Sequence, residues 1–174
     1  TDPERANAFG LRQSRANLPA AGKRPISSMA PILVVDPKTR AIEMVAGGSG
    51  GPRIISATVQ TMLNAIVFDM DAEEAVSAAR VHHQWLPDQL VLEPAWSLDA
   101  PEGEMGIAEL QEMMRRVERV NAFRNALESR GHRLVESESI GVVQFIRRRG
   151  DGFQGASDPR KGGAAVGIAE APEL

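Results

Sequence analysis

Residues 41–55 read AIEMVAGGSGGPRII. A strand-like run, Ala41 to Ala46, enters a glycine-rich turn at 47–51 and emerges at Pro52 into a helical pattern. Ile55, Val59, Met62, Leu63, Ile66 and Val67 keep one helical face apolar. Pro52 suits the first helical position, where its missing N–H costs nothing. Upstream, Ile32 to Val35 predicts a strand closed by Asp36-Pro37-Lys38, so that 32–46 forms a hairpin. Before it, Pro3, Gly10, Pro19, Gly22 and Pro25 break every periodicity, and residues 1–25 read as an extended arm.

Downstream, Asp71 and Glu74 form a capping pair for a helix running to about Arg80. A short strand is expected at Gln89 to Glu93, after an acidic, proline-bearing loop at 94–103 comes the longest helix, about Glu104 to Arg130, and Gly131 is placed to cap it. Leu110, Met113, Met114, Val117, Val120 and Leu127 make its apolar stripe, with both methionines read as core. Strands follow at His132 to Glu136, Val142 to Arg147 and Phe153 to Asp158, and the Gly/Ala-rich tail 162–174 is expected to fray. Hairpins with segregated helices predict an α+β layer structure.

Composition bounds the chemistry. The 174 residues are 43% apolar and 25% charged, which describes an ordinary globular chain. Twenty cationic residues against 23 acidic ones, with 4% aromatics, give no basis for nucleic-acid binding. No apolar run is long enough to span a membrane. The absence of cysteine excludes a thiol nucleophile and any cysteine-held metal.

Four segments carry candidate chemistry. The glycine turn can present backbone N–H groups to a phosphate or to a developing oxyanion. Gly51 is followed by Pro52-Arg53 rather than Lys-Ser/Thr, and Arg53 stands where a dinucleotide fingerprint needs glycine, so the oxyanion reading is favoured over phosphate. A plain tight turn is the alternative. Ser27 and Ser28, beside Lys23 and Arg24, can hold a carboxylate through hydroxyl donors, or form a solvated basic turn. His82 and His83 point to opposite sides of an extended segment and suit hydrogen bonding near Trp85 rather than a shared metal. Arg147 to Arg149 reads as a solvated hairpin turn. Thr1 has the chemistry of an N-terminal nucleophile, but it opens a loop rather than a rigid element.

In combination these segments resemble the γ-glutamyltranspeptidases over roughly residues 5 to 167. The blocks are GKRPISSMAP at 22–31, GGSGGPRII at 47–55, RVHHQWLPD at 80–88 and GASDPR at 155–160. The resemblance implies an N-terminal-nucleophile hydrolase fold, an αββα sandwich, in a precursor that cuts itself into two subunits. It implies γ-glutamyl transfer or hydrolysis on glutathione and related amides, with amino acids or peptides as acceptors and no metal or cofactor. It implies that Ser27 and Ser28 hold the glutamyl α-carboxylate and that Gly50 and Gly51 supply the oxyanion hole. It further implies a periplasmic or extracellular enzyme. The His-His-Gln-Trp and Ala-Ser-Asp-Pro-Arg blocks are assigned to structure, with Arg53 and Arg160 in ion pairs of the core or a subunit boundary.

Thr1-Asp2-Pro3-Glu4 does not resemble the segment that the family's catalytic threonine opens, so the nucleophile is expected outside residues 1–174. The chain reads as the C-terminal part of the small subunit, inactive alone, with the large subunit and the upstream part of the small subunit as partners. Ser49 and Pro52 depart from the family's residues, and about 98–120 reads as an insertion lengthening the long helix. Two other readings are an acylase of the same superfamily, acting on poly-γ-glutamate or a cephalosporin side chain, and a homologue without catalysis.

Overall fold

A computed structural model describes residues 4–93 and 106–167. Strands β1 (Ile32–Val35) and β2 (Ile42–Ser49) form the expected hairpin. Its turn is fixed by Asp36, whose carboxylate accepts the N–H groups of Lys38 and Thr39 at 2.7 and 2.8 Å. The arm is irregular, with one 3-10 turn at Arg15–Asn17. Strands β6 (Val142–Arg149) and β7 (Gly152–Ser157) complete an antiparallel sheet in the order β1-β2-β6-β7.

Helices α1 (Arg53–Val67) and α2 (Ala72–Ser77) cover one face of this sheet. The core between the layers contains Ala46, Ala57, Met62, Ala65, Val76, Val143 and Phe145. Burying the Phe145 ring alone is worth about 1.5–3 kcal/mol relative to leaving it in water. Asp71 caps α2 as expected, its carboxylate bonding the Glu74 N–H while Glu74 reaches back to the Asp71 N–H. The helix ends at Ser77, short of Arg80.

The second sheet is small: β3 (Val81–His82), β4 (Leu90–Leu92) and β5 (Leu134–Glu136), in that order. Strands β4 and β5 run parallel, joined through α3 (Ile107–Glu128), so this part is a crossover unit rather than a hairpin. Gly131 adopts φ +89° just past α3, in the cap position its sequence predicts.

Several expectations need correction. Helix α1 buries Ile54, Ala57, Thr58, Thr61, Met62 and Ala65, whereas Ile55, Val59, Leu63, Ile66 and Val67 are exposed. Small residues let the helix lie close to the sheet, so its bulkiest apolar side chains turn outward. No residue of α3 is buried; Met113 is half-buried and Met114 exposed, so neither is core. Arg147 to Arg149 lie in β6, not in a turn: the strand continues because its alternation puts Arg147 inward, where Asp69 meets it at 3.0 Å. The acidic loop at 94–103, the start of the inferred insertion and the end of the tail lie outside the described residues.

The uncovered face of the larger sheet is apolar across its middle. Leu33 pairs with Val45 and Val45 with Ile146, and all three are exposed. In a two-sheet sandwich this is the face that a second sheet covers.

Candidate functional site

The glycine segment divides in two. Gly47, Gly48 and Ser49 still belong to β2, paired with Gln144, Val143 and Val142. A side chain at Gly48 would meet the Val142 carbonyl at 2.8 Å, which explains a glycine inside the strand. The turn proper is Gly50 and Gly51, with φ of +131° and +61°, followed by Pro52 as the cap of α1. The Gly50 carbonyl accepts the Arg53 N–H at 3.3 Å and the Gly51 carbonyl accepts the Ile54 N–H at 3.1 Å. The N–H groups of Gly50 and Gly51 make no hydrogen bond among the described residues. The carbonyls are thus tied to the helix while two adjacent donors stay available.

Ser27 and Ser28 precede β1. The register pairs Ile32 with Ala46 and Leu33 with Val45; carried outward, it sets residue 28 against 50 and 27 against 51. Both segments therefore leave the sheet at the same end, although no hydrogen bond joins them among the described residues. Ser27 is exposed and Ser28 half-buried. The Ser27 hydroxyl oxygen accepts the Met29 N–H at 3.1 Å, which leaves its hydrogen to donate. Lys23 is turned toward the arm, its Nζ donating to the Ala16 carbonyl at 2.8 Å.

The His-His-Gln-Trp block builds the wall beside the turn. His82 is buried, with Nδ1 at 2.8 Å from the Ser56 hydroxyl and Nε2 at 2.9 Å from Gln84 Oε1. The Gln84 amide donates to the Phe9 carbonyl, holding the arm. The Phe9 ring lies over Gly51, so close that a side chain there would meet it at 2.5 Å. His83 faces the other way, toward Asp88. A cavity of about 250 Å³ lies among Phe9, Arg53, His82, Gln84 and Pro87.

Below the turn lies a buried charge cluster that sequence reasoning anticipated only as unspecified ion pairs. Arg80 meets Asp158 at 2.8 Å, and Arg160 meets both Asp158 and Glu93. Burial works to raise the Asp158 carboxyl, but the Val143 and Arg160 N–H groups and the Arg80 charge outweigh it and hold it below its ordinary value. Burial and the neighbouring Arg160 charge lower Arg80 against the pull of Asp158 and Glu93.

The sequence profile of the gamma-glutamyltranspeptidase family matches residues 1–168. The chain belongs to that family. The glutathione hydrolase proenzyme of Escherichia coli is 36% identical over 156 residues, covering 88% of this chain and 22% of its own length. That of Pseudomonas aeruginosa is 35% identical over 170 residues, covering 98% and 26%. The chain thus spans about a quarter of the length of these curated relatives. Among solved structures, a gamma-glutamyltranspeptidase from Pseudomonas nitroreducens complexed with L-DON superposes with a TM-score of 0.73 at 31% identity, over 97% of this chain and 77% of that one. The fold is therefore the N-terminal-nucleophile hydrolase fold of the transpeptidases. The α1/α2 layer and the four-stranded sheet form one helix–sheet half of the sandwich.

Thr1 lies outside the described residues. Sequence reasoning missed Gly141, which has φ +71° and backs the turn directly: a side chain at Gly50 would meet the Gly141 Cα at 2.9 Å. Its one signal is an isolated glycine at the start of an apolar strand, which marks a close backbone approach.

Proposed function

We propose that this chain is the part of a γ-glutamyl transfer or hydrolysis enzyme that recognises the glutamyl group and stabilises the oxyanion. The observation that carries the reading is the pair of N–H groups at Gly50 and Gly51 that make no hydrogen bond among the described residues, at the sheet end from which Ser27 and Ser28 also depart. A threonine supplied by another segment attacks the γ-glutamyl amide carbonyl. As the carbonyl oxygen gains charge, Gly50 and Gly51 donate to it, and turn geometry fixed beforehand makes this stabilisation greatest in the transition state. The hydroxyls of Ser27 and Ser28 hold the α-carboxylate. The amide C–N bond then breaks, the amine departs with the proton from the threonine hydroxyl, and the γ-glutamyl ester left on the threonine passes its acyl group to water or to the amine of an amino acid or peptide. Glutathione is the reference donor, the large subunit and the upstream part of the small subunit complete the site, and the enzyme acts in the periplasm or outside the cell. Among the described residues no helix is long and apolar enough to cross a membrane.

Two variants of the full-length enzyme test this, assayed on a γ-glutamyl anilide. Gly51→Val should lower kcat by about 100- to 1,000-fold, the usual effect of losing an oxyanion donor, with little change in glutamate binding. The double variant Ser27→Ala, Ser28→Ala should chiefly raise KM. Unchanged turnover in the first would remove the oxyanion assignment, and a KM effect under about twofold in the second would remove the carboxylate contact.

A further inference from the structure

The glycine turn is not held by its own residues alone. Its floor is the loop at 137–141. Gly141 touches Gly50, and a side chain at Gly141 would meet Ala57 Cβ at 2.9 Å and the carbonyls of Ser49 and Arg53 at 3.3 Å. The position of this loop therefore sets how far Gly50 can move.

Arg53 grips both the turn and the floor. Its backbone N–H bonds the Gly50 carbonyl at 3.3 Å. Its Nη1 donates to the Ser139 carbonyl at 2.6 Å and to Ser137 Oγ at 3.0 Å. Ser139 Oγ in turn donates to the Gly141 carbonyl at 3.2 Å. The far side of the loop is anchored separately, by Arg80 on the Gly141 carbonyl at 3.2 Å and by Glu93 on the Ile140 N–H. One residue thus spans the gap between the donors' turn and the surface on which it rests.

We infer that Arg53 is a positioning residue for the oxyanion donors, acting through the 139–141 loop rather than by touching substrate. This rests on the oxyanion reading of Gly50 and Gly51. A guanidinium suits the task, because two acceptors must be held by one rigid planar group. Without it the loop keeps its Arg80 and Glu93 anchors, so the fold persists while Gly50 gains freedom. Displacements of about 1 Å in a preorganised site cost on the order of 100-fold in rate.

The test uses the full-length enzyme, with active sites counted by covalent titration so that rates are per competent site. Arg53→Met should lower kcat per site by about 10- to 100-fold with the donor KM within about twofold. Arg53→Lys should recover part of the loss, and Ser137→Ala, which removes one of the two acceptors together with the Ser137 hydroxyl's own bond to the Ser139 carbonyl at 3.1 Å, should cost several-fold. Should Arg53→Met fail to mature, the Lys and Ser137 variants decide. The inference is overturned if kcat per site is unchanged in these variants while Gly51→Val loses turnover, or if only the number of titratable sites falls. If Gly51→Val also keeps full turnover, the oxyanion reading fails and this inference fails with it.

Discussion

Asp158→Ala is the perturbation whose size the structure defines best. The Asp158 side chain is fully buried, accepts three hydrogen bonds, from Arg160 Nη1 at 3.0 Å, the Val143 N–H at 2.8 Å and the Arg160 N–H at 3.1 Å, and forms an ion pair with Arg80 Nη1 at 2.8 Å. Truncation leaves Arg80, itself 1% exposed, without its carboxylate partner. Removing one partner of a buried pair typically costs about 3–5 kcal/mol, because the remaining charge stays desolvated. The loss falls first on Val143, the second residue of β6, whose N–H bonds Asp158. At 1.4 kcal/mol per tenfold, 3 kcal/mol corresponds to an opening equilibrium shifted by more than about 100-fold. Hydrogen exchange by mass spectrometry on the full-length enzyme reads this directly. Peptides across 142–147 should exchange at least about 100-fold faster in the variant. Peptides within α3, which packs chiefly against β5, should change by less than about threefold. An acceleration under about fivefold at β6 would refute the argument that this carboxylate locks the two layers. The same group gives a pH dependence. Folding holds its carboxyl below the ordinary 3.8, so its contribution is complete above that value and disappears as pH falls through the lower, folded value.

Three further outcomes are expected. The Asp69 carboxyl, lowered by the Arg147 hydrogen bond and then by the Arg149 charge, should titrate below 3.8 by NMR and rise toward the ordinary range in Arg147→Met, where Arg149 still holds it; an unmoved midpoint would argue against the pair. Asp71→Ala removes the α2 cap and should cost about 1 kcal/mol, seen as several-fold faster exchange of the α2 amides; exchange as slow as in the parent would leave the cap without weight. Ile146→Asp puts a carboxylate in the middle of the open sheet face and should cut the yield of mature full-length enzyme several-fold on a denaturing gel, whereas full yield would mean that no second layer packs there.

The sequence carries the local structure well and the long-range contacts poorly. Ile32 to Val35, the Asp36 turn and the Asp71/Glu74 cap are legible because each is decided by neighbours within four residues. The buried face of α1 is not. Periodicity ranks side chains by hydrophobicity, whereas close packing on a sheet selects Ala57, Thr58, Thr61 and Ala65 for their size. Arg147 misleads for a related reason: its partner Asp69 comes from the α1–α2 connection, and nothing near Arg147 in sequence announces it. The site divides the same way. Gly50 and Gly51 stand out by composition and Ser27 and Ser28 by their family block. The floor beneath them is a contact between backbones about ninety residues apart, which no local pattern encodes.

The hairpin register has a consequence for how this site can change. Residues 27–28 and 50–51 are aligned by a pairing that is set at the other end of β1 and β2, in the turn at Asp36 to Arg40 and the irregularity between Val34 and Val35. One residue inserted there would slide the serines past the glycines by about 3.3 Å and reverse which faces of β1 point inward. On the proposed carboxylate and oxyanion roles, the spacing between the two halves is therefore set from a surface turn that begins eight residues after Ser28 and ends ten before Gly50. An insertion of two residues, which restores the alternation, is the smallest edit that would move the two halves of the site apart while keeping the core intact.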